Sequence, residues 1–393
     1  MNKKQSLLFV TGTRADFGKI EPLASAAALN GFEVSFFVTG MHMMDSYGLT
    51  KLEVQHLAKV AYPAADSPLT SPQDSTITVH EFLNQRPGDP QDVILAKTML
   101  GFSDFVVENK PDLVLVHGDR VEAMACALVC ATNYIKCAHI EGGEVSGTID
   151  EIFRHCNSKL AYCHFVSSHT AKKRVRSLGE AAESIHVIGS PELDFHARHS
   201  GYDIQDVLSH YQIEQPDYGI CILHPVTSET NLIRQQAHDL FNALTQSSKY
   251  FVVIKPNNDP GSDDINSVIA TLDALQFRIL PSMRFGRFSE LLKNAACIVG
   301  NSSAGVREAP FLGVPSLDVG TRQADRATGT SISKTNADEG KAIEAFLKIN
   351  WHKRYPQQTE FGHGNATEKF IDVLNSKAFW RRSMQKHFDD IAP

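Results

Sequence analysis

Two short apolar runs constrain this chain more than any other feature. Asp112-Leu-Val-Leu-Val116 leads into His117-Gly-Asp-Arg120, and Cys137-Ala-His-Ile140 leads into Glu141-Gly-Gly-Glu144. Each run has the look of a strand buried on both faces of a parallel sheet. In open parallel sheets, ligands bind just past the carboxyl ends of the strands. Asp119 and Glu141 are therefore expected to open into one crevice. Gly142 and Gly143 let the backbone turn tightly and approach a ligand closely. Thr148 reads as the N-cap of a helix beginning at residue 149, with Glu151 placed as in a capping box. That puts Asp150 in the first turn, aimed the same way. Three isolated acids would read as solvated or capping groups. Grouped with histidines, Arg120, Arg154 and a double glycine, they read as a functional cluster.

The same pattern recurs along the chain. Apolar runs at 7–10, 34–38, 112–116, 136–140, 164–167 and 186–188 alternate with helical segments. The first unit ends near Gly189-Ser-Pro191, and a polar, helix-like stretch continues to about residue 216. The pattern then restarts with strands at 219–223, 251–254, 296–299 and 316–319, and a helix over 232–246. Such alternation predicts parallel, doubly wound sheets. Residues 66–90, rich in Pro, Ser, Thr and Asp, read as a loop region that could order around substrate.

The 393 residues are enough for two or three domains at roughly 150 residues each. No apolar run approaches the ~18 residues of a membrane span. The start, MNKKQSLLFVTG, has too short an apolar core for a signal peptide and fits a first strand. A net charge of −7 gives no basic field for nucleic acid or an anionic membrane. The seven cysteines form no C-x-x-C pair and mostly sit in apolar runs, so they read as reduced thiols of a cytoplasmic protein.

Thr11-Gly-Thr-Arg-Ala-Asp-Phe-Gly18 occupies the place of a dinucleotide phosphate loop but lacks G-x-G-x-x-G. Arg14 and Lys19 could still face a phosphate near a helix N-terminus. In Gly300-Asn-Ser-Ser-Ala-Gly305, Ser302 and Ser303 are natural N-cap residues, and backbone N–H groups there could cradle a diphosphate. Glu308 is expected about one helical turn further in. His224, Asn257 and Asp259 sit past other strand ends. His139-Ile-Glu141 fits the H-x-E of zinc deaminases, but no P-C-x-x-C follows. There is no D-x-D and no G-x-S-x-G. No metal or other cofactor is expected.

The motifs TGTRADFGK, HGDR, HIEGGEVSGTIDE, HPVT, GNSSAGVREAP and GTRQ, in this order, resemble the UDP-N-acetylglucosamine 2-epimerases. The resemblance covers nearly the whole chain. It is closest to the hydrolysing branch: bacterial enzymes of sialic acid synthesis and the epimerase half of the animal bifunctional epimerase/kinase. It implies two Rossmann-like α/β domains facing a central cleft, the glycosyltransferase-B-like arrangement. Residues 1–190 would carry the catalytic acids and 191–375 would bind UDP. A C-terminal helix, about 376–393, would cross back to the first domain, with 379–391 as that element. The resemblance makes Asp119, Glu141 and Asp150 catalytic. It sets His224 and Arg322 at the nucleotide, Ser302 and Ser303 at the diphosphate, and Glu308 at the ribose. Arg14, Lys19, Arg120, His139, Arg154 and Asn257 complete the expected substrate-binding set. UDP-N-acetylglucosamine and UDP are the expected partners, with a homo-oligomer, dimer or tetramer.

The chemistry implied is elimination of UDP to 2-acetamidoglucal, then hydration to N-acetylmannosamine. Which acid plays which proton-transfer role stays open. A close alternative substrate is a UDP-linked 2,4-diacetamido-6-deoxy sugar of the legionaminic acid route. More distant alternatives are a retaining glycosyltransferase of the same architecture and a non-enzymatic sugar-nucleotide-binding regulator.

Overall fold

The computed structural model describes residues 4–59, 77–146, 149–198, 201–256 and 259–390. The chain divides into two units. One takes in Met1–Glu144, Asp150–Asp194 and Phe361–Pro393; the other Val145–Ile149 and Phe195–Glu360.

Among the described residues, seven strands build the first unit's sheet. They are β1 (Ser6–Thr11), β2 (Glu33–Val38), β3 (Thr78–Glu81), β4 (Leu113–His117), β5 (Cys137–Ile140), β6 (Cys163–Val166) and β7 (Ile185–Val187). Their order is β3-β2-β1-β4-β5-β6-β7, and every pairing is parallel. The second sheet holds β8 (Gly219–Ile222), β9 (Phe251–Ile254), β10 (Phe277–Leu280), β11 (Ile298–Gly300), β12 (Ser316–Val319) and β13 (Ile332–Thr335). Its order is β10-β9-β8-β11-β12-β13, again all parallel. In each sheet the winding reverses beside the first strand, between β1 and β4 and between β8 and β11. These switch points are where doubly wound sheets bind ligands.

β4, β5 and β6 are buried at every residue, which is why they stand out as unbroken apolar runs. The strands not expected from sequence are β3, β10 and β13. All three lie at sheet edges, and each has residues that are not buried. β3 corrects the reading of 66–90 as loop throughout; residues 66–76 of that stretch lie outside the described residues.

The C-terminal part also differs from expectation. The first unit resumes at Phe361, earlier than residue 376, and helix Ala366–Asn375 belongs to its core. Phe370 on that helix packs against Phe165 and Phe9, with ring centroids 4.9 and 6.5 Å away. No helix spans 379–390; a short one, Lys377–Arg381, ends there. Tyr162 captures its end: the phenol donates to the Phe379 carbonyl at 2.8 Å, and the Arg382 guanidinium stacks on the ring at 4.0 Å. Among the described residues, no helix is long and apolar enough to cross a membrane.

Candidate active site

The first cluster lies past the carboxyl ends of β1, β4 and β5. β4 ends at His117, and Gly118, with φ +68°, turns the chain into Asp119. The Gly118 carbonyl accepts from His139 Nε2 at 2.7 Å and from Asn157 Nδ2 at 3.1 Å. A carbonyl only accepts, so His139 carries its proton on Nε2, and its Nδ1 accepts from Ser158 Oγ at 3.0 Å. Burial pushes the His139 imidazole down to about 3, so it is neutral. His139 was expected to touch substrate. It is fully buried, and both ring nitrogens are used inside the fold.

Glu141 follows β5 and adopts φ +65°, a left-handed conformation uncommon for a residue with a Cβ. Its N–H is still tied to the Phe165 carbonyl of β6 at 3.0 Å. Gly143, at φ +77°, passes so close to Ala171 that a Cβ would collide with that residue's carbonyl. The chain is thus forced through a tight turn directly after the acid. The Glu141 carboxylate is buried and faces two basic side chains. Lys19 Nζ is 2.9 Å from Oε1, and His117 Nε2 is 3.4 Å from Oε2. Lys19 also lies 3.7 Å from Glu192.

Asp119 is partly exposed and pairs with Arg154, which is buried. Arg154 and Asp150 share the helix Asp150–Leu160, and Asp150 stands in its first turn. The expected cap at Thr148 lies outside the described residues. Arg14 pairs with Glu53, and Arg120 Nε lies 3.4 Å from Glu122 Oε2. Asp16 and Glu192 join this cluster without having been singled out in the sequence. Asp16 sits in the first turn of helix Arg14–Leu29, 101 residues before the histidine it meets.

The second cluster lies past β8 and β11. Gly300, at φ +127°, brings the two strands so close that a Cβ there would collide with the Ile222 carbonyl. Asn301 comes next and holds His224 at both backbone groups. It accepts from the His224 N–H at 2.7 Å and donates to its carbonyl at 2.8 Å. The Asn301 carbonyl in turn accepts from Gln323 Nε2 at 2.9 Å and Arg322 Nη1 at 3.3 Å. Asn301 and Gln323 were not anticipated, though both adjoin motif residues that were. Ser302 caps helix Ser303–Val306, accepting from the Ala304 N–H at 3.4 Å. Glu308 does not continue that helix. The backbone breaks at Arg307, and Glu308 opens a separate helix, Glu308–Phe311, where it is buried. Asn257 lies outside the described residues. The described residues hold no cluster of three or more His, Cys, Asp or Glu suited to a metal ion.

Comparison with solved structures defines the fold. An epimerase from Methanocaldococcus jannaschii, in complex with UDP-GlcNAc and UDP, superposes with a TM-score of 0.74 at 18% identity, covering 94% of this chain and 99% of that one. A Neisseria meningitidis UDP-GlcNAc 2-epimerase bound to UDP-GlcNAc gives 0.72 at 17%, with the same coverages. The two parallel α/β sheets are therefore those of a glycosyltransferase-B-like fold. In sequence, residues 25–375 match the UDP-N-acetylglucosamine 2-epimerase family. A UDP-N-acetylglucosamine 2-epimerase of N. meningitidis serogroup B is 39% identical over 98% of this chain and 99% of its own length. A hydrolysing UDP-N,N'-diacetylbacillosamine 2-epimerase of Legionella pneumophila is 28% identical over 95% and 96%. This chain belongs to the UDP-N-acetylglucosamine 2-epimerase family.

Proposed function

We propose that this protein is a hydrolysing UDP-N-acetylglucosamine 2-epimerase that yields UDP and N-acetylmannosamine for sialic acid-type sugar synthesis. The observation that carries the reading is the buried Glu141 carboxylate, turned out of ordinary backbone geometry to face Lys19 and His117. Strained backbone of this kind clusters at functional sites.

The C2 proton of the sugar is not acidic in the ground state. It becomes so as the C1–O bond breaks and its electron pair leaves with UDP. A carboxylate then takes the proton, and the C–H pair forms the C1=C2 bond of 2-acetamidoglucal. Water adds at C1, and a proton returns to C2 on the other face. Asp119, Glu141 and Asp150 supply the acid and base groups. His224, Ser302, Ser303, Arg322 and Glu308 hold the nucleotide, with cations and N–H groups toward the diphosphate.

The test is incubation with UDP-N-acetylglucosamine in heavy water, without acceptor, watched by proton NMR. UDP and N-acetylmannosamine deuterated at C2 are expected. Retained C2 configuration without deuterium overturns the reading. Asp119→Asn, Glu141→Gln and Asp150→Asn should each cut turnover by about two to four orders of magnitude. The 28% identity to a hydrolysing diacetylbacillosamine epimerase supports a second substrate. A higher kcat/KM for UDP-N,N'-diacetylbacillosamine would favour it.

A further inference from the structure

His117 closes β4 with 7% of its surface exposed. Its ring lies between two carboxylates from different elements. Nδ1 is 3.3 Å from Asp16 Oδ1, and Nε2 is 3.4 Å from Glu141 Oε2. A neutral imidazole has one N–H and one lone pair, and a lone pair facing a carboxylate oxygen is repelled. Only the doubly protonated ring offers an N–H to both acids.

The surrounding charges agree. Burial works against a charged His117, but the Glu141 charge and the contacts with Asp16 and Glu141 outweigh it, against opposition from Lys19. The ring is raised to about 9. Asp16 is held below the usual carboxylate range: burial opposes this, and the bond to His117, the charges of His117 and Arg120, and Thr13 outweigh it. The other charged groups here are Lys19, shared between Glu141 and Glu192, and Arg120, beside Glu122.

We infer that His117 is a positioning residue held as an imidazolium, and that with Lys19 it keeps Glu141 ionised and fixed to accept the C2 proton. This rests on the epimerase reading above. A carboxyl buried like Glu141 without cations can stay protonated up to about pH 8–9. It would then take no proton at neutral pH. Two adjacent cations weaken it as a base but guarantee the anion. A weak base suffices, because the C2 proton is acidic while the C1–O bond breaks. In the step, the Glu141 carboxylate gains the C2 proton, the C–H pair becomes the C1=C2 bond, and UDP leaves with the C1–O pair. His117 keeps both its protons, held by Asp16.

The direct test is a pH titration of the ring by NMR on the substrate-free enzyme labelled at histidine. The His117 signal is identified by its loss in His117→Asn. It should titrate near 9, and in Asp16→Asn at least about one unit lower. Titration at or below about 7 in the unmutated enzyme overturns the proposal. The second test is the pH dependence of kcat/KM, with folding of each variant checked by thermal melting. The alkaline limb near 9 should disappear in His117→Asn and His117→Gln. Their acid limb should move up as Glu141 loses a neighbouring cation, and kcat should fall at least about tenfold. Uniformly lower rates with unmoved limbs in both variants reduce His117 to a structural role. The NMR titration needs no turnover, so an inactive protein with a charged His117 refutes the epimerase reading alone. An active epimerase with a neutral His117 refutes this proposal alone.

Discussion

Lys19 Nζ stands 2.9 Å from Glu141 Oε1, although the two residues are 122 positions apart. Lys19 comes from helix Arg14–Leu29 after β1, and Glu141 from the turn after β5. The pair thus ties together two strand ends of one sheet. It does so with a glutamate in left-handed backbone geometry, which costs roughly 1–2 kcal/mol.

Glu141→Gly separates these effects. Glycine relieves the backbone cost but leaves Lys19 and His117 facing a gap. Breaking a buried ion pair costs about 3–5 kcal/mol, more than the strain returned. A net loss of about 1–4 kcal/mol is expected in urea unfolding. Adding Lys19→Met should recover part of it. A Glu141→Gly protein more stable than the unmutated one would show that the strain outweighs the pair.

Asn301→Ala removes both side-chain bonds to the His224 backbone. At about 0.5–1.5 kcal/mol each, stability should fall by about 1–3 kcal/mol. His224 then loses its fixed backbone, so UDP should bind at least about tenfold more weakly by calorimetry. Unchanged UDP affinity would remove His224 from the nucleotide set.

Glu180 is buried and takes bonds from Lys386 at 2.7 Å, Lys159 at 2.8 Å and His164 Nε2 at 3.1 Å. Burial works against its charge, but these three bonds outweigh it and hold the acid at about 2, below its ordinary 4.5. An acid depressed in the folded state stabilises above the ordinary value and loses that contribution as pH falls toward the folded one. Roughly 3 kcal/mol should vanish between about pH 4.5 and 2. Glu180→Gln should flatten acid unfolding in that window and free the C-terminal segment around Lys386 to protease. An unaltered acid transition would contradict this.

Asp318 on β12 runs the other way. Burial raises it to about 6, opposed by Lys334, Arg322 and Arg326. A raised acid favours the fold while protonated, so stability should fall between about pH 4 and 6 and stay reduced above. Asp318→Asn should therefore be more stable by about 1–3 kcal/mol at pH 7.5 and nearly equal at pH 3.5. Melting curves at the two pH values check it; equal gains at both would assign the effect to packing.

What the sequence determined by itself was the interior of each sheet and the residues at its strand ends. β4, β5 and β6 are covered on both faces, so every position selects an apolar residue and the run shows plainly. The loops after such strands are short, so Asp119 and Glu141 could be placed at strand ends by counting. Among the edge strands β7 was legible, but β3, β10 and β13 were not, because one side of an edge strand lacks a neighbour and polar residues are tolerated there. Thr78-Val-His-Glu81 and Ile332-Ser-Lys-Thr335 read like loops. Tertiary structure alone decided which charges meet. Asp16 and His117 are 101 residues apart, and His224 and Asn301 are 77 apart. Such pairs form because parallel strands from distant parts of the chain end side by side. No local spacing encodes that adjacency, and it is why His139 looked like a ligand from its motif yet lies under Gly118, orienting the turn that carries Asp119.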